Sequence, residues 1–280
     1  MKSKSQVKEL VMRIVFAGAA CLSILSVLLI CIFLFQNGIP TIMKIGPVKF
    51  LLGQKWMPGN NLFGIFPMIV GSIYVTIGAI IVGVPIGLLC AIYLARFASP
   101  RVHKILKPVV DLLAGIPSIV YGLFGMLFFV TALHWGMSLL SGALTMVIMV
   151  LPLIMRTAEE ALKSVPDSYR EASFGLGAGK LRTIFTIVLP SAVPGILAGV
   201  ILAIGRVVGE TAALLYTSGT VAAVPNSLMG SGRTLALHMY VLSSEGLHVN
   251  QASATAVVIL AFVLVINGLS GLVARKIAKG

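Results

Sequence analysis

The sequence predicts an all-α polytopic membrane protein with six transmembrane helices, and three observations predict it. Of 280 residues, 58% are hydrophobic and only 10% charged, with a mean hydropathy of +1.06, whereas soluble domains carry about a quarter charged residues. Apolar runs of about twenty residues or more recur, each long enough for a hydrocarbon core of about 30 Å. Lys and Arg, finally, crowd into alternate connections, the asymmetry that orients membrane proteins.

The runs fall at about 14–35, 66–95, 109–132, 139–157, 191–216 and 252–274. The first follows Lys2, Lys4, Lys8 and Arg13 and is too long for a cleaved signal peptide. Sixteen of the 21 Lys and Arg lie in the N-terminal tail, the 96–107 connection, the 156–182 connection and the C-terminal tail. Four (Lys44, Lys49, Lys55 and Arg233) lie in the other set of connections, and Arg206 lies inside a span. Both termini and residues 158–190 are therefore expected in the cytoplasm. The charge of +13 is thereby assigned to one membrane face and not to nucleic acid. On the outer side, residues 36–65 are expected to cap the surface, 133–138 to turn tightly at His134-Trp135, and 217–251 to hold a short helix or re-entrant piece.

Inside the spans, Gly83/Gly87, Gly195/Gly199 and Gly205/Gly209 recur four apart, so each pair shares a helix face and lets a neighbouring backbone approach. Pro67, Pro85, Pro117 and Pro152 mark kinks. Cys21, Cys31 and Cys90 read as small core residues, and the four histidines, without ligand spacing, as loop or interface residues. Asp111, near the start of its span, reads as reaching the interface or a loop cation.

Two features carry the functional reading. Arg206 and Glu210 lie deep in the fifth span, where a lone charge costs several kcal/mol and so faces protein or water. Their i, i+4 spacing puts them on one helix face, where a guanidinium and a carboxylate can pair. The guanidinium fork also suits a tetrahedral oxyanion. A step on an anion pathway and a buried pair fixing helix register both remain open. The second feature is Glu171–Pro190, EASFGLGAGKLRTIFTIVLP, a polar and basic island between apolar runs. It reads as a short helical pair at the membrane surface that a partner could grip, or as an ordinary connecting loop. Ala172, Phe174 and Leu176 would form its apolar side, with Glu171, Lys180 and Arg182 wet.

The spacing Glu171-Ala172-Ser173, Gly177, then Leu189-Pro190 resembles the EAA loop of bacterial ABC importer permeases, with Ser173 in place of the family's third-position Ala. Beyond that loop, AGIPSIVYGLFG (114–125), LPLIMRTAEEALKSVPDSYREA (151–172) and AIGRVVGETAALLYTSG (203–219) resemble the permease subunits of the phosphate-specific ABC importer, over residues 60 to the end. Residues 156–172 and 209–217 are more similar to the A-type subunit, and residues 53–72 to the C-type. The resemblance implies a type I (MetI-like) permease: residues 1–60 forming a first span and outer loop, 61–280 the permease domain. It implies phosphate import by alternating access, with Arg206 and Glu210 on the pathway. Glu171, Ala172, Ser173, Gly177, Leu189 and Pro190 would dock an ATP-binding subunit, expected as a homodimer. A second homologous permease and an extracytoplasmic phosphate-binding protein resting on 36–65 and 217–251 complete the implied assembly. Neither cofactor nor catalytic residue is implied, and without a G-x-x-x-x-G-K-[ST] loop the chain is not itself the ATPase. A permease for another oxyanion and a secondary carrier are the alternatives.

Overall fold

The computed structural model describes residues 4–278, so Lys2 and Lys279 of the charge count lie outside the described residues. The fold centres on helix α6, Leu139–Lys163. Helix α3, Phe66–Ile92, lies along one side of it and continues as a π-helical turn, Tyr93–Phe97. Helix α9, Leu189–Val208, lies along another. Apolar solvent offers no hydrophobic force between helices, so close approach through small residues matters most here. A side chain at Gly87 would collide with Ile154 of α6 at 2.7 Å, and one at Gly195 with Ala161 at the same distance. Gly199 is likewise closed off by Thr157. The Gly83/Gly87 and Gly195/Gly199 pairs are thus the seats on which α3 and α9 grip α6, around a core of Met146, Val147, Val150 and Ile154.

Helix α1, Lys4–Ile45, far outruns the 14–35 segment. No residue of its apolar window is buried within the chain. It meets the bundle near Gly38, against Ser253 and Val257 of helix α12, Val249–Ala278. Cys21 on α1 is exposed, and Cys31 and Cys90 are half-buried. None of the three is a buried core residue: Cys21 lies on the bare stretch of α1, and Cys90 borders an apolar cavity beside the end of α3.

Two expected spans are not continuous. Residues 109–132 divide into α4, Pro100–Ala114, and α5, Ser118–Gly125 with a π-helical extension Met126–Ala132. The halves meet at 94°. Pro117, which disfavours helical geometry in the residue before it, leaves Gly115–Pro117 as the corner. Residues 191–216 stop at Val208, pass through Gly209–Thr211 and resume as α10, Ala212–Thr217.

At one end of the bundle, helix α2 (Pro47–Leu52) and a two-stranded hairpin (β1, Trp56–Met57; β2, Leu62–Phe63) cover the starts of α3 and α12. A helix within 217–251 is indeed present, α11, Leu235–Glu245. Its His238 is no loop histidine: it is 0% exposed, with Trp56 edge-on at 4.3 Å. The Arg233 guanidinium, a donor only, donates to Nδ1 at 3.1 Å. Burial first, and the Arg233 charge second, push this imidazole down to about 3.

An unfolded histidine titrates near 6.5, so between that pH and about 3 the unfolded chain takes up a proton that the folded chain refuses. Stability should therefore fall by about 2 kcal/mol from pH 7 to pH 5 through this group alone. Thermal unfolding in detergent would show it, and His238→Gln, which keeps an acceptor for Arg233, should flatten the profile. A Gly87→Val variant should lose about 1–3 kcal/mol by overpacking against Ile154, read as a lowered Tm.

Candidate functional site

The break after α9 is built by its own residues. Helical bonding runs out as Gly209 N–H donates to Gly205 O and Glu210 N–H to Val207 O, both at 3.2 Å. The Glu210 side chain then turns forward: Oε1 accepts the Ala213 N–H of α10 at 3.1 Å. Glu210 is buried at 9% exposure and Arg206 half-buried. The anticipated ion pair is absent among the described residues, where no carboxylate lies within 4.0 Å of Arg206. The i, i+4 argument assumed an unbroken helix, and the helix ends between the two residues. Each charge instead meets a complementary helix end, Arg206 in the last turn of α9 and Glu210 at the start of α10.

The other broken span lies against this one. Gly122 of α5 faces Ala213, where a side chain would come within 2.6 Å of its Cα. Tyr121 is buried and donates its hydroxyl to Leu113 O at 2.7 Å across the α4–α5 corner. A side chain at the neighbouring Gly205 would meet nothing within 4 Å. A half-buried guanidinium with no carboxylate within 4.0 Å among the described residues can make the weak, reversible anion contact that a conduit requires.

At the far end of α9 lies the surface pair. Helix α7 (Asp167–Gly175) and helix α8 (Lys180–Thr183) fold back on each other through Gly177, whose φ of +81° belongs to the left-handed region that favours glycine. Ser173 is not an idle replacement: buried beside buried Thr183, its hydroxyl lies 2.8 Å from that of Thr183 and ties the two helices together. Glu171, Ala172, Phe174 and Leu176 face outward, Leu176 at 90% exposure. Leu176, Gly177 and Arg182 line part of a hollow of about 290 Å³. Leu189 and Pro190 do not join the pair; after a π-helical stretch, Ile184–Val188, they open α9.

The sequence reading missed the anchors of this surface. Arg96 donates to Leu162 O and stands 3.9 Å from Asp167, while His103 bonds Glu159 at 2.8 Å. Lys180 stands 4.5 Å over the Phe97 ring. None of these partners is near in sequence, so no local spacing announces them. Arg206 and the surface pair are separated by most of α9, a rise of about 26 Å from Leu189.

Comparison with known proteins reads this architecture. Residues 83–279 match the family described as binding-protein-dependent transport system inner membrane component. The probable ABC transporter permease protein YqgH of Bacillus subtilis is 32% identical over 244 residues, covering 84% of this chain and 79% of that one. The phosphate transport system permease protein PstA 1 of Mycobacterium tuberculosis (strain CDC 1551 / Oshkosh) is 40% identical over 163 residues, 58% of this chain and 54% of that one. Among solved structures, a bacterial ABC transporter involved in the import of the acidic polysaccharide alginate superposes with a TM-score of 0.63 at 16% identity, covering 97% of this chain and 99% of that one. The MetNI methionine ABC transporter, in an inward-facing conformation, gives 0.60 at 18% identity over 76% and 94%. The chain belongs to the binding-protein-dependent transport system inner membrane component family, and is a multi-pass permease of an ABC importer rather than an enzyme.

Proposed function

We propose that the chain is the A-type permease of a phosphate importer and forms its translocation pathway with a second, homologous permease. The observation that carries this reading is Arg206, held at the end of α9 with no carboxylate partner among the described residues and with open space beside Gly205. The similarity to proteins named as phosphate transport permeases supports the choice of cargo. A phosphate oxyanion would meet the guanidinium fork with two parallel N–H donors. Buried Glu210 keeps α10 in place and adds a negative charge that keeps the contact weak, so that what binds is also released.

Movement comes from outside the chain. An ATP-binding subunit docks on Glu171, Ala172, Gly177 and the exposed Leu176, with the termini and this pair in the cytoplasm. Ser173 stiffens the pair against the docked subunit. Closure of that subunit pushes α7 and α8, and α9 carries the displacement to Arg206, opening the pathway alternately to either side. Phosphate arrives on an extracytoplasmic binding protein that rests on residues 36–65 and 217–251.

Arg206→Gln should lower uptake of labelled phosphate about tenfold or more, the weight of a charge-assisted contact, while the assembled complex and its Tm stay near wild type. Uptake unchanged in that variant would end the pathway reading. Glu210→Gln keeps the acceptor for Ala213 and should preserve folding, whereas Glu210→Ala should cost about 1 kcal/mol through the lost cap. For the docking surface, Gly177→Val forces a branched side chain into the left-handed region at a local cost of about 1–2 kcal/mol. Membrane insertion should persist while co-purification of the ATP-binding subunit falls. Ser173→Ala should keep that subunit bound but loosen the pair by about 1 kcal/mol, seen as ATP hydrolysis less tightly coupled to uptake.

A further inference from the structure

With a 94° corner between them, α4 and α5 cannot both run along the membrane normal, and α5 with its extension, Ser118–Ala132, is the more apolar half and the one suited to cross. Fifteen residues rise about 22 Å, some 8 Å short of a 30 Å hydrocarbon core. If the outer turn at His134-Trp135 lies at one interface, α4 therefore lies just inside the other, roughly parallel to the membrane plane. That depth matches helices that rest about 5–10 Å into the boundary between headgroups and acyl chains.

The side chains of α4 are sorted for such a position. Ile105 and Leu112 project from one arc at 67% and 73% exposure, with Val109 between them. The inner edge is fixed to the bundle by buried Val110 and by His103, bonded to Glu159. The remaining arc carries Lys104 and Lys107, with Arg101 at its edge one turn before Ile105; all three are exposed and none is in an ion pair among the described residues. Asp111, one turn after Lys107 on the same arc, is the single acidic residue of the helix and leaves the arc a net charge of +2. Between α4 and the end of α3 lies an apolar cavity of about 320 Å³, lined by Leu89, Cys90, Tyr93, Leu106, Val109 and Met155 among others.

We propose that this corner is a binding site for an anionic phospholipid of the cytoplasmic leaflet. One acyl chain enters the cavity between α3 and α4, and the phosphodiester headgroup lies on Arg101, Lys104 and Lys107. Charge complementarity and membrane depth select this occupant: three unpaired cations stand at the headgroup level over an apolar slot. The site rests on the cytoplasmic placement of α4 by the Lys and Arg count, but not on the identity of the transported anion. It gives the leaflet's anionic lipids a hold on the corner that Tyr121 braces, which meets the α9–α10 break where Gly122 faces Ala213, and so a means of tuning transport.

The test takes the purified importer, with its partner subunits, in nanodiscs of phosphatidylcholine containing a minority of phosphatidylglycerol. Lipid retained after detergent release is counted by native mass spectrometry. Wild type should retain phosphatidylglycerol over phosphatidylcholine about tenfold or more, since each interfacial cation contributes about fivefold. The Arg101→Gln/Lys104→Gln/Lys107→Gln variant should lose that preference while eluting as an intact complex. Val109→Trp, which fills the cavity but leaves the charges, should reduce the retained lipid. An equal preference in the triple variant, or none in wild type, overturns the proposal. So does loss of the ATP-binding subunit with phosphatidylglycerol retention unchanged, because the basic arc would then be a protein contact. Phosphate uptake by the variants is a separate reading, and its failure alone bears on the pathway and not on the lipid.

Discussion

A backbone that leaves the helix inside a bilayer must find its hydrogen bonds within the protein, since lipid supplies none. This chain does so twice, and much of its chemistry follows from the repairs. At the α4–α5 corner the Tyr121 hydroxyl takes the Leu113 carbonyl. At the α9–α10 break the Glu210 carboxylate takes the Ala213 amide. The repairs are neighbours, because Gly122 lets α5 close onto Ala213. A charged residue buried in the membrane is thus part of the architecture, and its presence beside Arg206 follows from the break as much as from any cargo.

Helix α9 spans the distance between the surface pair and Arg206. Its glycine seats against Thr157 and Ala161 hold it on α6, and Ala203, Val207 and Val208 bury its far end. Packed at both ends and joined to α8 without a loop through Ile184–Val188, with Ile184 and Val188 buried, it is a continuous rod between the two sites.

What was legible in the sequence depended on range. The spans at 14–35, 66–95, 139–157 and 252–274, the helical pair around Gly177 and the helix within 217–251 are written in runs, turn residues and spacing, and the structure has them. The α4–α5 corner was marked by Pro117 but read as a kink, because composition cannot say how far a kink opens. The same blindness let Arg206 and Glu210 be paired on a helix that ends between them. Nothing local marks Ser173 as a tie between helices, since its partner Thr183 is ten residues on and becomes a neighbour only when Gly177 turns the chain. His238 and Trp56 are 182 positions apart in the sequence, beyond any local rule.

Helix α1 meets the bundle near Gly38, against Ser253 and Val257 of α12, while its apolar window is bare along its length. An apolar surface of that extent is stable only under an apolar cover, and this chain supplies none. The bundle is thus complete without the outer stretch of α1, which joins it at one end and offers the rest of its surface to acyl chains or to another subunit.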